Sequence, residues 1–583
     1  MQAPTPASAD IYGLIRPFMS QGRFMLTALV AATVSARIAE VLAHYATEAF
    51  GLMGNGNAHL VDAVARSEMA YTAVRHEAAT VASADAYFRV SRKLAVATTT
   101  YGAGYTNTMT ALADARMNQS PLVLVVGDAP TTGHRPWDVD QAQMAAAVGV
   151  PTFTVDQSHA GATTLAALRH AVEQRTPVVL AIPYDLLAAT AEAESLELPE
   201  CIEPPTITPD AHAITKAATA LREAKRPVIL AGRGARHAIP ELTRIADRLR
   251  AVTTTSAPAR GSFGGRALDV GVCGGFASER AQALLAQADV VLAVGASLNQ
   301  FTMGFGNLFP AGTRIIQVNE TATANHPQVS EVIQADSKLA AAALEATLDT
   351  VTPHRWQEFS DDEIAGAHFD REPGEALAAD GRLDPRSLMA QLERALPENR
   401  LVVTDGGHFI GWPNTYLSLP SPDSIVMVGT AYQSIGLGFA SAPGAAVAQP
   451  DRTLVVITGD GGGLMALADL DSTVRAAHRA IVVVMNDSAY NAEVTQYGTI
   501  GLNQDAMLID EVNFAAFAEG VGAEGRIIRT LNDLAELGAW LAEHETGTLL
   551  LDCRISKSVV APYQHEIMAK LRASLGISEA ALE

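Results

Sequence analysis

The stretch Leu454 to Glu493, LVVITGDGGGLMALADLDSTVRAAHRAIVVVMNDSAYNAE, decides the fold. A β-branched run, Leu454 to Thr458, meets a turn containing Gly459, Gly461, Gly462 and Gly463. A helical segment follows, and a second apolar run, Ile481 to Met485, ends at Asn486-Asp487. This alternation predicts one βαβ unit. Parallel strands joined by a right-handed helical crossover carry both C-terminal ends to one sheet edge, so Asp460 and Asp487 meet there. Two carboxylates beside a glycine turn suit a hard cation such as Mg²⁺, which takes oxygen ligands and completes its shell with phosphate and water. The glycines let backbone N–H groups approach a diphosphate at the helix start, where the dipole favours negative charge.

The same alternation recurs along the chain. Strand-like runs at Leu94 to Thr98, Leu122 to Val126 and Pro177 to Ile182 are separated by alanine-rich helical patterns. A proline- and acid-rich segment, Glu192 to Pro209, reads as a linker. A second set follows at Pro227 to Leu230, Val290 to Val294 and Arg314 to Val318, with glycine turns at Gly232-Arg233-Gly234 and Gly295-Ala296-Ser297. The charged stretch Phe359 to Asp380 marks another boundary, after which Leu401 to Thr404 opens the unit that holds the quoted stretch. At 583 residues the chain is too long for one core. The expected fold class is α/β, with three doubly wound parallel-sheet domains at residues 1–190, 205–350 and 380–558 and a C-terminal tail at 559–583.

The formal net charge of −22 disfavours nucleic acid and anionic membrane as partners. Three widely spaced cysteines, Cys201, Cys273 and Cys553, argue against a disulfide framework or structural zinc and for a reducing, cytoplasmic compartment. Phe24 to Val34 is apolar, but it is short and runs into the amphipathic pattern Ile38, Val41, Leu42, Tyr45; it reads as part of a first-domain helix rather than a signal or a membrane span.

Gly459-Asp460-Gly461 followed by Asn486-Asp487 resembles the diphosphate motif of thiamine-diphosphate enzymes. In that family Gly-Asp-Gly precedes a pair of asparagines at this spacing; Asp487 replaces the second, a metal ligand. Three α/β domains with this motif in the last match the order of pyruvate decarboxylase and acetolactate synthase: pyrimidine-binding, middle and diphosphate-binding. The resemblance implies thiamine diphosphate and Mg²⁺ as cofactors, with Asp460, Asp487 and the carbonyl of Ala489 on the metal. It places Gly459, Gly461, Gly462 and Tyr490 by the diphosphate, together with Gly407, His408 and Phe409 of TDGGHFIG. In TAYQSIG, Gln433 would offer its carbonyl to the aminopyrimidine, and Ile435 would wedge between the cofactor rings. Arg75-His76-Glu77-Ala78 resembles the segment with the activating glutamate, so Glu77 would share a proton with the aminopyrimidine. TTTYGAGYTNTM resembles the TSGPGATN turn and brings Asn107 near the cofactor.

The substrate side carries the departures. In FGLMGNGN, similar to the FGxPG loop, Met53 replaces proline and Asn55 stands where pyruvate decarboxylases have an aspartate. Asn55 hydrogen-bonds but cannot shuttle a proton, and the paired histidines of those enzymes are missing. Gln141 aligns with a substrate-facing glutamine of acetolactate synthases. Glu493, six residues past Asp487, stands where pyruvate decarboxylases carry a catalytic glutamate, with Tyr497 on the same face if a helix continues. Glu493, Tyr497, Asn55 and the tail APYQHEIMAKLRASLG together most resemble bacterial 2-hydroxyacyl-CoA lyases. That resemblance implies cleavage of a 2-hydroxyacyl-CoA, with 2-hydroxyisobutyryl-CoA the preferred expectation, to acetone and formyl-CoA. The alternatives are an acetolactate-synthase-like or 2-oxoacid-decarboxylating enzyme, and a non-catalytic regulatory protein of the same fold. By the same resemblance the cofactor lies between subunits, a homodimer is the minimum and a homotetramer the expectation. ADP is expected in the middle domain, and the tail is expected to act as a lid over the site.

Overall fold

The computed structural model describes residues 32–348, 356–368 and 371–575. It contains three six-stranded sheets, and every strand pairing in them is parallel. The first holds β1 (Glu48–Gly51), β2 (Ala70–Ala73), β3 (Ala95–Thr99), β4 (Leu122–Asp128), β5 (Thr152–Thr154) and β6 (Pro177–Pro183). The middle sheet holds β7 (Pro227–Ala231), β8 (Val252–Thr255), β9 (Asp269–Val272), β10 (Val290–Val294), β11 (Arg314–Asn319) and β12 (Val329–Gln334). The third holds β13 (Arg400–Thr404), β14 (Ile425–Met427), β15 (Thr453–Gly459), β16 (Arg479–Asn486), β17 (Glu524–Ile528) and β18 (Gly547–Arg554).

Spatial order is β2-β1-β3-β4-β6-β5 in the first sheet and β14-β13-β15-β16-β18-β17 in the third, the same order when each is counted from its own first strand. The middle sheet runs β12-β11-β10-β7-β8-β9, the doubly wound order of dinucleotide-binding folds. Strands β15 and β16 are buried almost throughout, as a parallel sheet covered on both faces requires. In such sheets ligands bind outside the carboxyl ends of the strands, where the winding reverses. That point lies between β1 and β3 in the first domain and between β13 and β15 in the third.

The first and third domains share one core. Helix Glu77–Ser91 packs on helix Gly438–Ala448, with the Ser83 hydroxyl donating to the Ala440 carbonyl at 2.8 Å. Gly444 permits this approach: a Cβ there would lie 1.8 Å from the Ser83 carbonyl oxygen.

Phe24 to Ala31 lie outside the described residues; the first described helix, Val34–Tyr45, buries Ile38, Val41 and Leu42. Among the described residues no helix is long and apolar enough to cross a membrane. The C-terminal helix Pro562–Leu575 packs against helix Asn491–Gln496.

Candidate active site

The register Gly459↔Met485 between β15 and β16 sets Asp460 beside Asn486-Asp487 at the sheet's carboxyl edge. The glycines differ from the expected loop: they form the first turns of a helix, Asp460–Met465. Close packing explains them, since a Cβ on Gly461 would meet the Tyr490 ring at 2.6 Å and one on Gly462 would meet Asp405 Oδ2 at 2.7 Å. Asp460 and Asp487 are both buried. Backbone N–H groups of Gly461, Ser488 and Ala489 reach the Asp460 carboxylate, yet its Oδ2 has no hydrogen-bond partner. Burial, together with the Asp460 charge, holds the Asp487 carboxyl well above the ordinary range. Ser488 adopts φ +60° to make the turn, and Ala489 pairs with Leu508 across it.

Behind this edge Asp405, fully buried at the end of β13, accepts N–H groups from Gly406, Gly436 and Leu437 and the Thr458 hydroxyl at 2.8–3.3 Å. It ties the loop that holds Gln433 and Ile435 to the start of the Asp460 helix. Gln433 takes φ +61°, and Ile435 is half-buried. Gly407 lines the adjoining cavity, but His408 and Phe409 do not reach it. Phe409 packs beneath Gly407 and Gly459, and the His408 ring is buried between Asn491 and the Ala561 N–H. Burial drives the His408 imidazole down to about 4, so it is neutral.

A cavity of about 1540 Å³ runs from this loop toward the middle domain. Gln433, Ile435 and Glu493 line it; Tyr497 does not. The helix carrying Glu493 ends at Gln496, and Tyr497 caps it, donating its N–H to the Glu493 carbonyl at 2.8 Å with its ring exposed. The C-terminal helix closes one side of the cavity. Tyr563 donates to the His408 carbonyl at 3.0 Å, and Gln564 accepts from Gln496 at 3.1 Å.

In the first domain Glu77 begins its helix, capped by the His76 ring, and accepts from Asn107 Nδ2 at 2.9 Å. Asn55 donates to the Tyr101 hydroxyl at 2.9 Å and accepts from Tyr184. Gln141 is buried with its amide held by backbone on both sides, accepting from Gly102 N at 2.7 Å and donating to the Gly127 carbonyl at 2.9 Å. It braces the Gly102 turn rather than offering a free amide to a substrate. None of Asn55, Glu77, Asn107 and Gln141 lines the cavity that holds Glu493. The chain therefore presents two half-sites at equivalent switch points.

Three family models match in order: a thiamine pyrophosphate enzyme N-terminal binding domain at residues 32–148, a central domain at 214–344 and a C-terminal binding domain at 405–553. The chain belongs to the thiamine pyrophosphate enzyme family. Its relatives include sulfoacetaldehyde acetyltransferases of Rhodobacter capsulatus, 27% identical over 92% of this chain and 96% of the relative, and of Castellaniella defragrans, 28% identical over 91% and 94%. A probable acetolactate synthase large subunit of Methanococcus aeolicus is 25% identical over 84% of this chain and 86% of its own.

The residues present fit this family's cofactor. The unpartnered Asp460 Oδ2 is the orphan expected where a divalent cation supplies the missing contact. Among the described residues no cluster of three or more histidine, cysteine or acidic side chains could hold a metal. The Asp460–Asp487 pair thus suits an ion that takes its remaining ligands from a diphosphate and water. Sequence reasoning missed Asp405 and Asp469. Asp469 accepts the Arg75 N–H at 2.8 Å, fixing the segment before Glu77 to the third domain. Asp405 had one local sign, an acid placed directly after a buried strand; Asp469 had none.

Proposed function

We propose that this thiamine pyrophosphate enzyme is a Mg²⁺-dependent carbon–carbon lyase that cleaves a 2-hydroxyacyl-CoA, best fitted by 2-hydroxyisobutyryl-CoA, to acetone and formyl-CoA. The observation that carries the reading is Glu493, an ionisable carboxylate facing the cavity together with Ile435 and six residues past Asp487. Cleavage of the bond between the hydroxyl-bearing carbon and the thioester carbonyl carbon turns the 2-hydroxyl into the ketone oxygen, and its proton needs a base within reach.

Bound thiamine diphosphate would supply the carbon nucleophile and the electron sink for bond cleavage. Asp460, Asp487 and the Ala489 carbonyl would hold Mg²⁺, and Gly459, Gly461, Gly462 and Tyr490 would border the diphosphate. Glu77, oriented by Asn107, holds the proton that the aminopyrimidine exchanges. Glu493 takes the 2-hydroxyl proton as the carbon–carbon bond breaks. Asn55 offers an uncharged hydrogen bond to the substrate, and Tyr497 stands at the end of the Glu493 helix. The C-terminal helix, anchored by Tyr563, shields the site from water.

Separation of the two half-sites within one chain supports assembly of the site from two copies. Exposed Met53, Trp137 and Tyr184 beside the first half-site, and Tyr432, Met465 and Leu508 beside the second, are the apolar surfaces such a homodimer would bury; a homotetramer extends this. The middle-domain crevice, bordered by Gly234, Gly295 and Ser337, supports ADP binding. Free Cys201, Cys273 and Cys553 support a cytoplasmic location.

The relatives favour a second reading, an acetolactate-synthase-like enzyme acting on a 2-oxoacid. Purified holoenzyme offered 2-hydroxyisobutyryl-CoA and pyruvate separately distinguishes the two. Acetone and formyl-CoA from the first support the lyase; no product from the first with carbon dioxide from the second overturns it.

A further inference from the structure

The loop from Gly429 to Gly436 carries Gln433 and Ile435, and its backbone is tightly wound. Gly429, Gln433 and Gly436 take φ of +71°, +61° and +83°. Glycine enters that region freely, whereas a glutamine there is strained and persists only where its surroundings hold it. Local bonds close the turn. Ser434 donates its N–H to the Gly429 carbonyl at 2.9 Å, and Gln433 Nε2 donates to the Thr430 carbonyl at 2.9 Å. A Cβ on Gly429 would lie 2.3 Å from the Ser434 carbonyl oxygen. Asp405 holds the far end of the loop, at Gly436 and Leu437. The near end is held by another domain.

Asp114 lies on the first-domain helix Met109–Met117 and is buried. It accepts the Gly429 and Tyr432 N–H groups, each at 3.1 Å, and Asn118 Nδ2 at 3.0 Å. All these partners are donors, so the position calls for a group that only accepts, which is an ionised carboxylate. Burial and the Asp85 charge push the Asp114 carboxyl up, while Arg89 and the two backbone N–H groups oppose them. Arg89 supplies the opposite match. It donates to the Met427 carbonyl, the last of β14, at 2.8 Å and pairs with Asp85 at 3.2 Å. The first domain therefore meets backbone donors of the loop with an anion and the backbone acceptor just before it with a cation. Arg233 of the middle domain donates to the Asn118 carbonyl and steadies the same corner.

We infer that Asp114 is a positioning residue for the cofactor: by gripping Gly429 and Tyr432 it keeps the Gln433 carbonyl and the Ile435 side chain aimed at the site. This rests on the reading in which the Gln433 carbonyl accepts from the amino group of the aminopyrimidine. Asp114 acts within its own chain, unlike Glu77, which the proposed homodimer sets against a second copy.

The test compares thiamine diphosphate with its analogue lacking the pyrimidine amino group. Each is titrated calorimetrically, with Mg²⁺, into the full-length protein freed of cofactor. Wild type should prefer thiamine diphosphate by about tenfold or more, since the analogue leaves the Gln433 carbonyl unsatisfied. Asp114→Asn keeps the volume but turns an amide N–H toward a backbone N–H, so the loop loosens and the preference should fall to about threefold or less. A residue that only supports the fold would weaken both ligands alike. The wild-type preference retained in Asp114→Asn therefore overturns the inference. No preference in the wild type defeats the Gln433 reading, and this inference with it. Should Asp114→Asn fail to fold, Asn118→Ala decides, because it withdraws the donor that orients the carboxylate from its own helix. A narrowed preference in that variant supports the inference, and the wild-type preference overturns it.

Discussion

Replacing Asp487 by asparagine should flatten the pH dependence of Mg²⁺ binding. The two carboxyls share one buried edge; burial pushes Asp460 up to about 6, and burial plus the Asp460 charge pushes Asp487 up to about 8. Between those values the metal-free pair retains a proton that a divalent cation must displace. One proton released per ion makes apparent affinity rise about tenfold per pH unit, or about 1.4 kcal/mol. In Asp487→Asn the pair carries one carboxyl fewer and no like charge, so the slope across this window should fall close to zero. A carboxyl raised on folding contributes its stability at low pH and loses it as pH climbs through the folded value, so the metal-free wild type weakens from about pH 6 to about pH 8 and the variant does not. Isothermal titration of Mg²⁺ with thiamine diphosphate, in two buffers of different ionisation enthalpy, counts the protons directly. No proton release in the wild type, or an equal slope in the variant, would refute the assignment of the pair as metal ligands.

Glu493→Gln should lower kcat by about 10²- to 10⁴-fold, the usual contribution of a positioned acid–base group, while cofactor affinity measured by titration is unchanged. Buried His408 is driven down to about 4, so it stabilises the fold above its unfolded value near 6.5 and withdraws that stability as pH falls toward 4. Denaturant titrations across this range should show the loss, and His408→Gln should reduce it. Gly444→Ala would set a Cβ against the Ser83 backbone, which cannot rotate away, and should destabilise by about 1–3 kcal/mol in chemical denaturation.

The parts of the fold legible in the sequence are those where one physical pressure acts alone. Strands β4, β6, β10, β15 and β16 are continuous apolar runs because both faces are covered, and their ends fall within a residue or two of the runs in the sequence. Short strands such as β2 and β14, four and three residues long, carry too little pattern to stand out and exist by pairing with a longer neighbour. The Asp460–Asp487 meeting was legible because crossover handedness fixes it. The directions of His408 and Phe409 were not, since they depend on Asn491, Ala561 and Gly459 returning from distant parts of the chain. Gln141 illustrates the same limit: its residue type and spacing suit a substrate contact, but Gly102 and Gly127 occupy its amide.

In the proposed reaction Glu77 activates a cofactor anchored by Asp460 and Asp487. The direct measurement is hydrogen–deuterium exchange at C2 of bound thiamine diphosphate, followed by quench and NMR in wild type and Glu77→Gln. Loss of acid–base assistance should slow exchange by about 100-fold or more in the variant, with cofactor still bound. Exchange at the wild-type rate in Glu77→Gln would contradict it.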